Sequence, residues 1–148
     1  MANRRLVIKY IFVAVWILVI FLMSNEIAGT SSSRSDEIVR SIQSVGINTP
    51  EGILTFIVRK AAHISAYFVL GILIYNLLKE YRLRIKHLVL ASIALAMLYA
   101  CTDELHQMFV PGRSGEVRDV LIDTAGAAAG VGMYAAVVHK LYKKPELV

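Results

Sequence analysis

The chain has 148 residues, of which 57% are hydrophobic, and its mean hydropathy is +0.60. This composition excludes an ordinary soluble globular protein as the default, because too few polar residues are present to cover the surface of a globule. The net charge of +5 is modest, and the basic residues lie at the ends of apolar runs rather than on one soluble face, so nucleic acid is not an expected partner.

The length is enough for one domain, which we expect to comprise residues 1–148. The single cysteine, Cys101, lies inside an apolar run, so it predicts neither a disulfide framework nor a paired metal site. Its small side chain is expected to fill apolar space. No motif in the chain predicts a cofactor.

Four apolar segments are long enough to cross a bilayer, since a membrane helix needs about 20 mostly apolar residues. We therefore predict an all-α membrane protein, built as a bundle of four transmembrane helices. Arg4 and Arg5 precede the first segment, and basic residues also precede the apolar core of a signal peptide. However, this apolar core is longer than that of a usual signal peptide and no cleavage motif follows it, which favours a retained anchor. The predicted spans are about 6–23, 61–78, 87–102 and 120–142.

The segment between the first two spans has two characters. Its start contains GTSSS, at residues 29–33, which is typical of a flexible connector. Ser35 is expected to cap a helix, and Ile38, Ile42 and Val45 then recur at helical spacing. This pattern favours a short amphipathic helix on the outer membrane surface, and a disordered loop is the alternative.

The distribution of Lys and Arg predicts the orientation of the bundle, because these residues stay on the cytoplasmic side. With four spans, both termini and the 79–86 loop share one face, which carries ten of the 16 Lys and Arg residues. We therefore predict that both termini are cytoplasmic, and that the 24–60 and 103–119 segments lie outside. The ten are Arg4, Arg5, Lys9, Lys79, Arg82, Arg84, Lys86, Lys140, Lys143 and Lys144.

Helical spacing places ionisable residues of the last three spans on shared faces near their outer ends. Positions four apart in a helix share a face, because each residue turns the helix by about 100°. The expected faces are Arg59, His63 and Tyr67 in the second span; Tyr99, Asp103 and Gln107 in the third, if its helix continues; and Asp119, Asp123, Gly126 and Gly130 in the fourth.

The face of the fourth span is expected to contact protein. GAAAG, at residues 126–130, is a GxxxG motif, whose small residues allow a second helix backbone to approach closely. Asp123 shares this face, and a lipid-facing carboxylate would cost several kcal/mol. We therefore predict that Asp123 and His63 each lie within contact, or one water, of a polar partner in an outer-leaflet pocket. A turn at Pro111 and Gly112 would bring Arg113 over this pocket.

Two stretches of the sequence resemble the VanZ-like family of small bacterial membrane proteins. They are RKAAHISAYFVLG, at 59–71, and YACTDELHQMFVPGRSGEVRDVLIDTAGAAAG, at 99–130. MSN, at 23–25, and the serine-rich segment after it fit the same family. The motif carried over falls on Lys60, His63, Tyr67, Asp103, Glu104, Gln107, Arg113, Asp119, Asp123 and Gly126.

The resemblance implies a bacterial cell-envelope protein, since the founding member of the family is linked to teicoplanin resistance. It assigns no catalytic role to any residue. Combined with the shared helix faces, it defines a candidate ligand-binding set, in which His63, Asp103 and Asp123 are also the catalytic candidates. The set is Lys60, His63, Tyr67, Asp103, Glu104, Gln107, Arg113, Arg118, Asp119 and Asp123.

Each member of this set also has a structural interpretation. Asp103 and Glu104 can cap a span at headgroup level, and His63 can be a core residue with a satisfied hydrogen bond. Arg113 and Arg118 can pair with lipid phosphates, and Asp123 can belong to a structural ion pair.

Two functions are compatible with such a pocket. One is non-catalytic binding of a lipid headgroup, cell-wall precursor or glycopeptide, with an effect on antibiotic susceptibility. The other is an enzyme acting on a lipid-linked phosphate, in which His63 and a nearby carboxylate exchange protons.

In a metal-dependent version of this enzyme, the metal ligands would come from Asp103, Glu104, Asp123 and His63 or His106. Because HExxH and CxxC are both missing from the sequence, no metal is predicted. A transporter is disfavoured, since the charges lie near one face. The oligomeric state is left open.

Overall fold

The computed structural model of the protein describes residues 2–25, 28–44, 50–113 and 115–142, and within these ranges it is all-helical, with no strand. Four of its helices are long and apolar enough to cross a membrane, which confirms the predicted four-span, all-α class. The helices are α1 (Ala2–Ser24), α2 (Ala28–Gln43), α3 (Glu51–Leu78), a 3-10 helix (Lys79–Tyr81), α4 (Ile85–Gln107) and α5 (Val117–Tyr142).

The spans alternate in direction. Lys9, near the start of α1, bonds to Glu80, just after α3, while Lys60, in the first half of α3, pairs with Asp119 at the start of α5. One end of the bundle contains the last residues of α1 and α4 and the first residues of α3 and α5, and we call it the site end. We call the opposite end of the bundle the basic end. This grouping agrees with the predicted loops. Which end faces outward stays a prediction.

The helix between the first two spans differs from the prediction. α2 begins at Ala28, so the expected flexible connector is helical and Ser35 does not cap a helix start. Ser35 and Val39, one turn apart, are buried, whereas Ile38 is 49% exposed. The face of α2 that contains Ser35 and Val39 is therefore the one that packs against the protein, where Asp36 also accepts a hydrogen bond from Thr55 of α3. Val45 lies outside the described residues, and a location of α2 on the outer surface stays a prediction.

The helices that contain the other spans extend beyond the predicted apolar segments. α3 begins at Glu51, directly after Pro50, and runs through Arg59 and Lys60 without a break. α4 continues to Gln107, which is the continuation required for Asp103 to share a face with it. A polar residue can end an apolar run while the helix itself continues, because the other helices supply hydrogen-bond partners for its side chain.

The core of the bundle is a close backbone contact between α3 and α5. A Cβ atom added to Gly126 would lie 2.7 Å from the carbonyl oxygen of Ile64, and one added to Gly130 would lie 2.1 Å from that of Phe68. In the reverse direction, a Cβ on Gly71 would lie 2.4 Å from the carbonyl oxygen of Ala127. The GxxxG face therefore contacts protein, as predicted, and no larger side chain fits there without separating the helices.

α1 is largely exposed to the surroundings of the bundle, and several polar contacts attach it in addition to the apolar packing of Ile20. Near the basic end, Lys9 Nζ donates to Asn76 Oδ1 at 2.9 Å and to Glu80 Oε1 at 2.6 Å. Further along, Trp16 Nε1 donates to the carbonyl oxygen of Ala66 at 2.9 Å, and the Tyr99 hydroxyl donates to a carbonyl of α1 at 2.9 Å. Such bonds are effective between helices in lipid, where water does not compete.

Replacing Gly130 by alanine is expected to destabilise the protein by roughly 1–3 kcal/mol, because the added methyl overlaps a backbone carbonyl of α3. The free energy of unfolding in detergent, from denaturant titration, measures this loss. Gly132→Ala is the matched control, since no atom of another described element lies within 4 Å of its Cβ position. An equal loss in both variants would contradict the proposed contact.

Candidate functional site

Three helices contribute ionisable side chains to the site end, as their spacing predicts. α3 contributes Arg59, Lys60, His63 and Tyr67; α4 contributes Asp103, Glu104 and Gln107; the 108–116 loop contributes Arg113; and α5 contributes Arg118, Asp119 and Asp123. These side chains form two adjoining groups, one buried between the helices and one around an open cavity. His63 belongs to both.

The buried group, which we call the carboxylate cluster, consists of His63, Asp103 and Asp123. Asp123 is 1% exposed and Asp103 is 3% exposed, so neither faces lipid. His63 Nδ1 lies 3.6 Å from Asp123 Oδ2, which is too long for a direct hydrogen bond but within ion-pair range when the imidazole is protonated. His63 and Asp123 are therefore neighbours at the site end, and their role in an outer-leaflet pocket stays a prediction.

Asp103 is held in place by two hydrogen bonds to the same oxygen. The Tyr67 hydroxyl donates to Asp103 Oδ2 at 3.4 Å, and Gln107 Nε2 donates to it at 3.3 Å. Asp103 Oδ1 and Asp123 Oδ2 are buried and have no hydrogen-bond partner among the described residues. A buried carboxylate oxygen without a partner is costly, so the arrangement is not optimised for stability alone.

The second group surrounds an opening of about 200 Å³, which we call the cationic cavity. This volume accommodates a phosphate-sized group together with a few waters. Two anionic residues, Glu116 and Asp119, also line it. The remaining lining residues are Phe56, Arg59, Lys60, His63, Gln107, Gly112, Arg113 and Arg118.

The cations of the cavity differ in how they are paired. Lys60 forms a short ion pair with Asp119, and Arg118 Nη2 bonds to Glu116 Oε2 at 3.0 Å. Arg113 Nη1 donates to Gln107 Oε1 at 3.4 Å, which links the loop to the carboxylate cluster. Arg59 has no ion pair with a carboxylate anywhere in the described ranges. Positive charge at the cavity is therefore only partly compensated by acids.

The pKa of Arg113 lies below its ordinary value, first because the side chain is partly buried and then because Arg59 is close; Asp103 and Glu104 act in the opposite direction. A guanidinium starts from so high a pKa that it stays charged at neutral pH. Two neighbouring guanidinium groups that repel each other are stabilised when an anion lies between them.

Glu104 is buried but neither lines the cavity nor joins the cluster. Its Oε2 accepts a hydrogen bond from the backbone N–H of Glu116 at 2.9 Å, so it supports the loop that carries Arg113. His106, a candidate ligand in the metal-dependent hypothesis, lies away from the cluster: its ring packs at 4.7 Å from that of Phe21. In the helix, Glu104 and His106 flank the face that contains Asp103 and Gln107. In the packed structure, neither side chain lies in the carboxylate cluster.

Sequence reasoning did not single out Phe56, Gly112 and Glu116 as site residues. The Phe56 ring centroid lies 5.4 Å from Lys60 Nζ and 5.8 Å from Arg118 Cζ, so the ring contacts two of the cavity cations. Its position, four residues before Lys60, could have revealed it if α3 had been expected to begin at Glu51.

The structure thus defines a small multi-pass membrane protein whose ionisable residues are concentrated at one end of a four-span bundle. The chain belongs to the VanZ/LLP1 family, because the model of that family matches residues 9–139, which is most of the chain. This confirms the resemblance seen in the motifs. Comparisons with curated proteins and with solved structures returned no match.

The cost of the carboxylate cluster can be measured by substitution. Asp123→Asn is expected to raise the free energy of unfolding by about 1 kcal/mol in chelator-containing buffer, because it removes a buried charge whose oxygen lacks a partner.

Asp119→Asn is the matched control on the same helix. It should lower stability by roughly 1 kcal/mol, since it leaves the partly buried Lys60 without its partner. If Asp123→Asn destabilised the protein as much as Asp119→Asn does, Asp123 would be a structural ion-pair residue.

Proposed function

We propose that this protein binds the phosphorylated headgroup of a membrane lipid or lipid-linked cell-wall precursor in the cationic cavity. The observation that carries the proposal is the cavity itself, in which Arg59 and Arg113 lie close together beside two further cations. Guanidinium groups bind phosphate oxygens through several charge-assisted hydrogen bonds. Four Lys and Arg side chains and two acids line the cavity, so a phosphate group between the arginines would add negative charge where positive charge predominates.

The location of the cavity favours an amphiphile over a soluble anion. It lies at one end of a bundle with many exposed apolar side chains, and the exposed Met108, Phe109 and Val117 are sequence neighbours of its lining residues. A lipid could place its phosphate in the cavity and leave its chain in the bilayer. With both termini cytoplasmic, this lipid would belong to the outer leaflet.

Binding in the outer leaflet would connect this protein to the cell envelope. Sequestering a lipid-linked precursor, or binding a glycopeptide that targets it, would alter antibiotic susceptibility. A conduction pathway is less well supported, because the buried Leu70, Ile74 and Ala127 form an apolar layer between the two polar ends of the bundle.

Farnesyl phosphate and farnesol provide a direct test, since they share a chain and differ in the phosphate. We expect the purified protein in zwitterionic detergent to bind farnesyl phosphate at least about tenfold more tightly than farnesol. Arg113→Gln should remove most of that preference, measured by isothermal titration calorimetry. Arg84→Gln, an exposed position at the basic end, is the control and should retain it. Equal binding of the two compounds by the wild type would refute headgroup recognition.

Catalysis on the same lipid is a second candidate function, supported by the contact between His63 and Asp123. In hydrolysis, the imidazole would accept a proton from the attacking water as the water oxygen bonds to phosphorus and the bond from phosphorus to the lipid oxygen breaks. The proton would then pass to the departing lipid oxygen. The cavity arginines would stabilise the charge that develops on the phosphate.

Release of inorganic phosphate from farnesyl phosphate distinguishes the two functions. If this protein is a phosphatase, His63→Gln should reduce the turnover number by about 100-fold or more while binding changes little. Arg113→Gln should mainly weaken binding. A wild-type protein that binds farnesyl phosphate and releases no phosphate would support the binding function alone.

A further inference from the structure

The carboxylate cluster carries an inference that goes beyond headgroup binding and does not rest on it. One imidazole nitrogen and one oxygen from each of two carboxylates all lie within 4.8 Å of one another. Donor atoms bound to one ion at about 2.1 Å are about 3 Å apart at right angles and about 4 Å apart on opposite sides. Small side-chain rotations would therefore bring the three donors to coordination distance.

The unpartnered oxygens of the cluster favour a cation-binding role. Asp103 and Asp123 are almost fully buried, and Asp103 Oδ1 and Asp123 Oδ2 have no hydrogen-bond partner among the described residues. His63 lies 3.6 Å from Asp123, and one imidazole does not compensate two buried carboxylates. A divalent cation bound to both oxygens would remove this cost.

The hydrogen bonds to Asp103 resemble those that orient the ligands of metal sites. Tyr67 and Gln107 both donate to Oδ2, which fixes the carboxylate and leaves Oδ1 available. In metal sites, such bonds to the non-ligating part of a ligand set its direction.

Ser24 lies against the same carboxylate. It is 1% exposed, and its hydroxyl interacts with Asp103. With His63 and Tyr67 it lines a crevice of about 20 Å³, which is room for a single water or ion. A hydroxyl, a carboxylate and the imidazole therefore border the same small space.

We propose that His63, Asp103 and Asp123 bind one divalent cation at the site end. Two carboxylate oxygens and one imidazole favour Mn²⁺, with Zn²⁺ as the other ion that such donors accept. Because His63 also lines the cationic cavity, the ion would lie next to any phosphate bound there. A water on the ion, rather than the imidazole, would then be the attacking group in the hydrolytic reaction considered above.

Metal binding can be tested without lipid. The purified protein in detergent is stripped with a chelator and titrated with Mn²⁺, and free Mn²⁺ is followed by electron paramagnetic resonance; Zn²⁺ is tested by displacement. We expect one Mn²⁺ per chain, and at least about a tenfold loss of affinity in Asp103→Asn and in Asp123→Asn. Glu37→Gln, which changes an exposed acid of α2 outside the cluster and the cavity, is the control and should bind as the wild type does. In addition, nitrogen-14 coupling to bound Mn²⁺ should be present in the wild type and lost in His63→Gln.

The same titrations separate this inference from the proposed headgroup binding. Arg113→Gln should keep its Mn²⁺ affinity and lose its preference for farnesyl phosphate. The proposal is overturned if the wild type shows no saturable binding of Mn²⁺ or Zn²⁺, or if both asparagine variants retain wild-type affinity. It is equally overturned if no nitrogen coupling is detected, because the imidazole would then not be a ligand.

Discussion

The close approach of α3 and α5 is the constraint on which the site depends. Gly71, Gly126 and Gly130 allow the two backbones to meet, and this contact fixes both the separation and the register of the helices. Asp123 lies one turn before Gly126 and His63 lies beside Ile64, so the contact that joins the helices also brings the carboxylate to the imidazole. In a bilayer, where burying apolar surface gives little advantage, such backbone proximity is a main source of helix association.

Around this contact, the bundle divides its polar groups between two ends. At the basic end, Lys9, Asn76 and Glu80 satisfy one another through bonds of 2.6–2.9 Å and attach α1 to the bundle. At the site end, Asp103 and Asp123 each leave a buried oxygen unpartnered. The two ends therefore differ in kind: one is a satisfied network that contributes to assembly, and the other retains unused binding capacity. That difference is the physical reason for placing function at the site end.

The cationic cavity and the carboxylate cluster are complementary in charge and meet at His63. Lys and Arg side chains line the cavity, and the two buried carboxylates lie further inside the bundle. Gln107 connects the two groups physically, since it accepts from Arg113 and donates to Asp103.

The sequence by itself determined the four apolar spans, the protein-facing GAAAG motif and the helix faces that contain His63, Asp103 and Asp123. Apolar length and 3.6-residue periodicity are local properties, and the residues of one face remain together whatever the helix packs against. Only the tertiary structure decided where α2 begins, that α3 continues past Arg59 and Lys60, and that Glu104 supports a loop instead of lining the cavity. It also decided that His106 turns towards Phe21 and that Phe56 joins the cations. Each of these outcomes depends on a partner from another helix or loop, and no pattern within one segment specifies that partner.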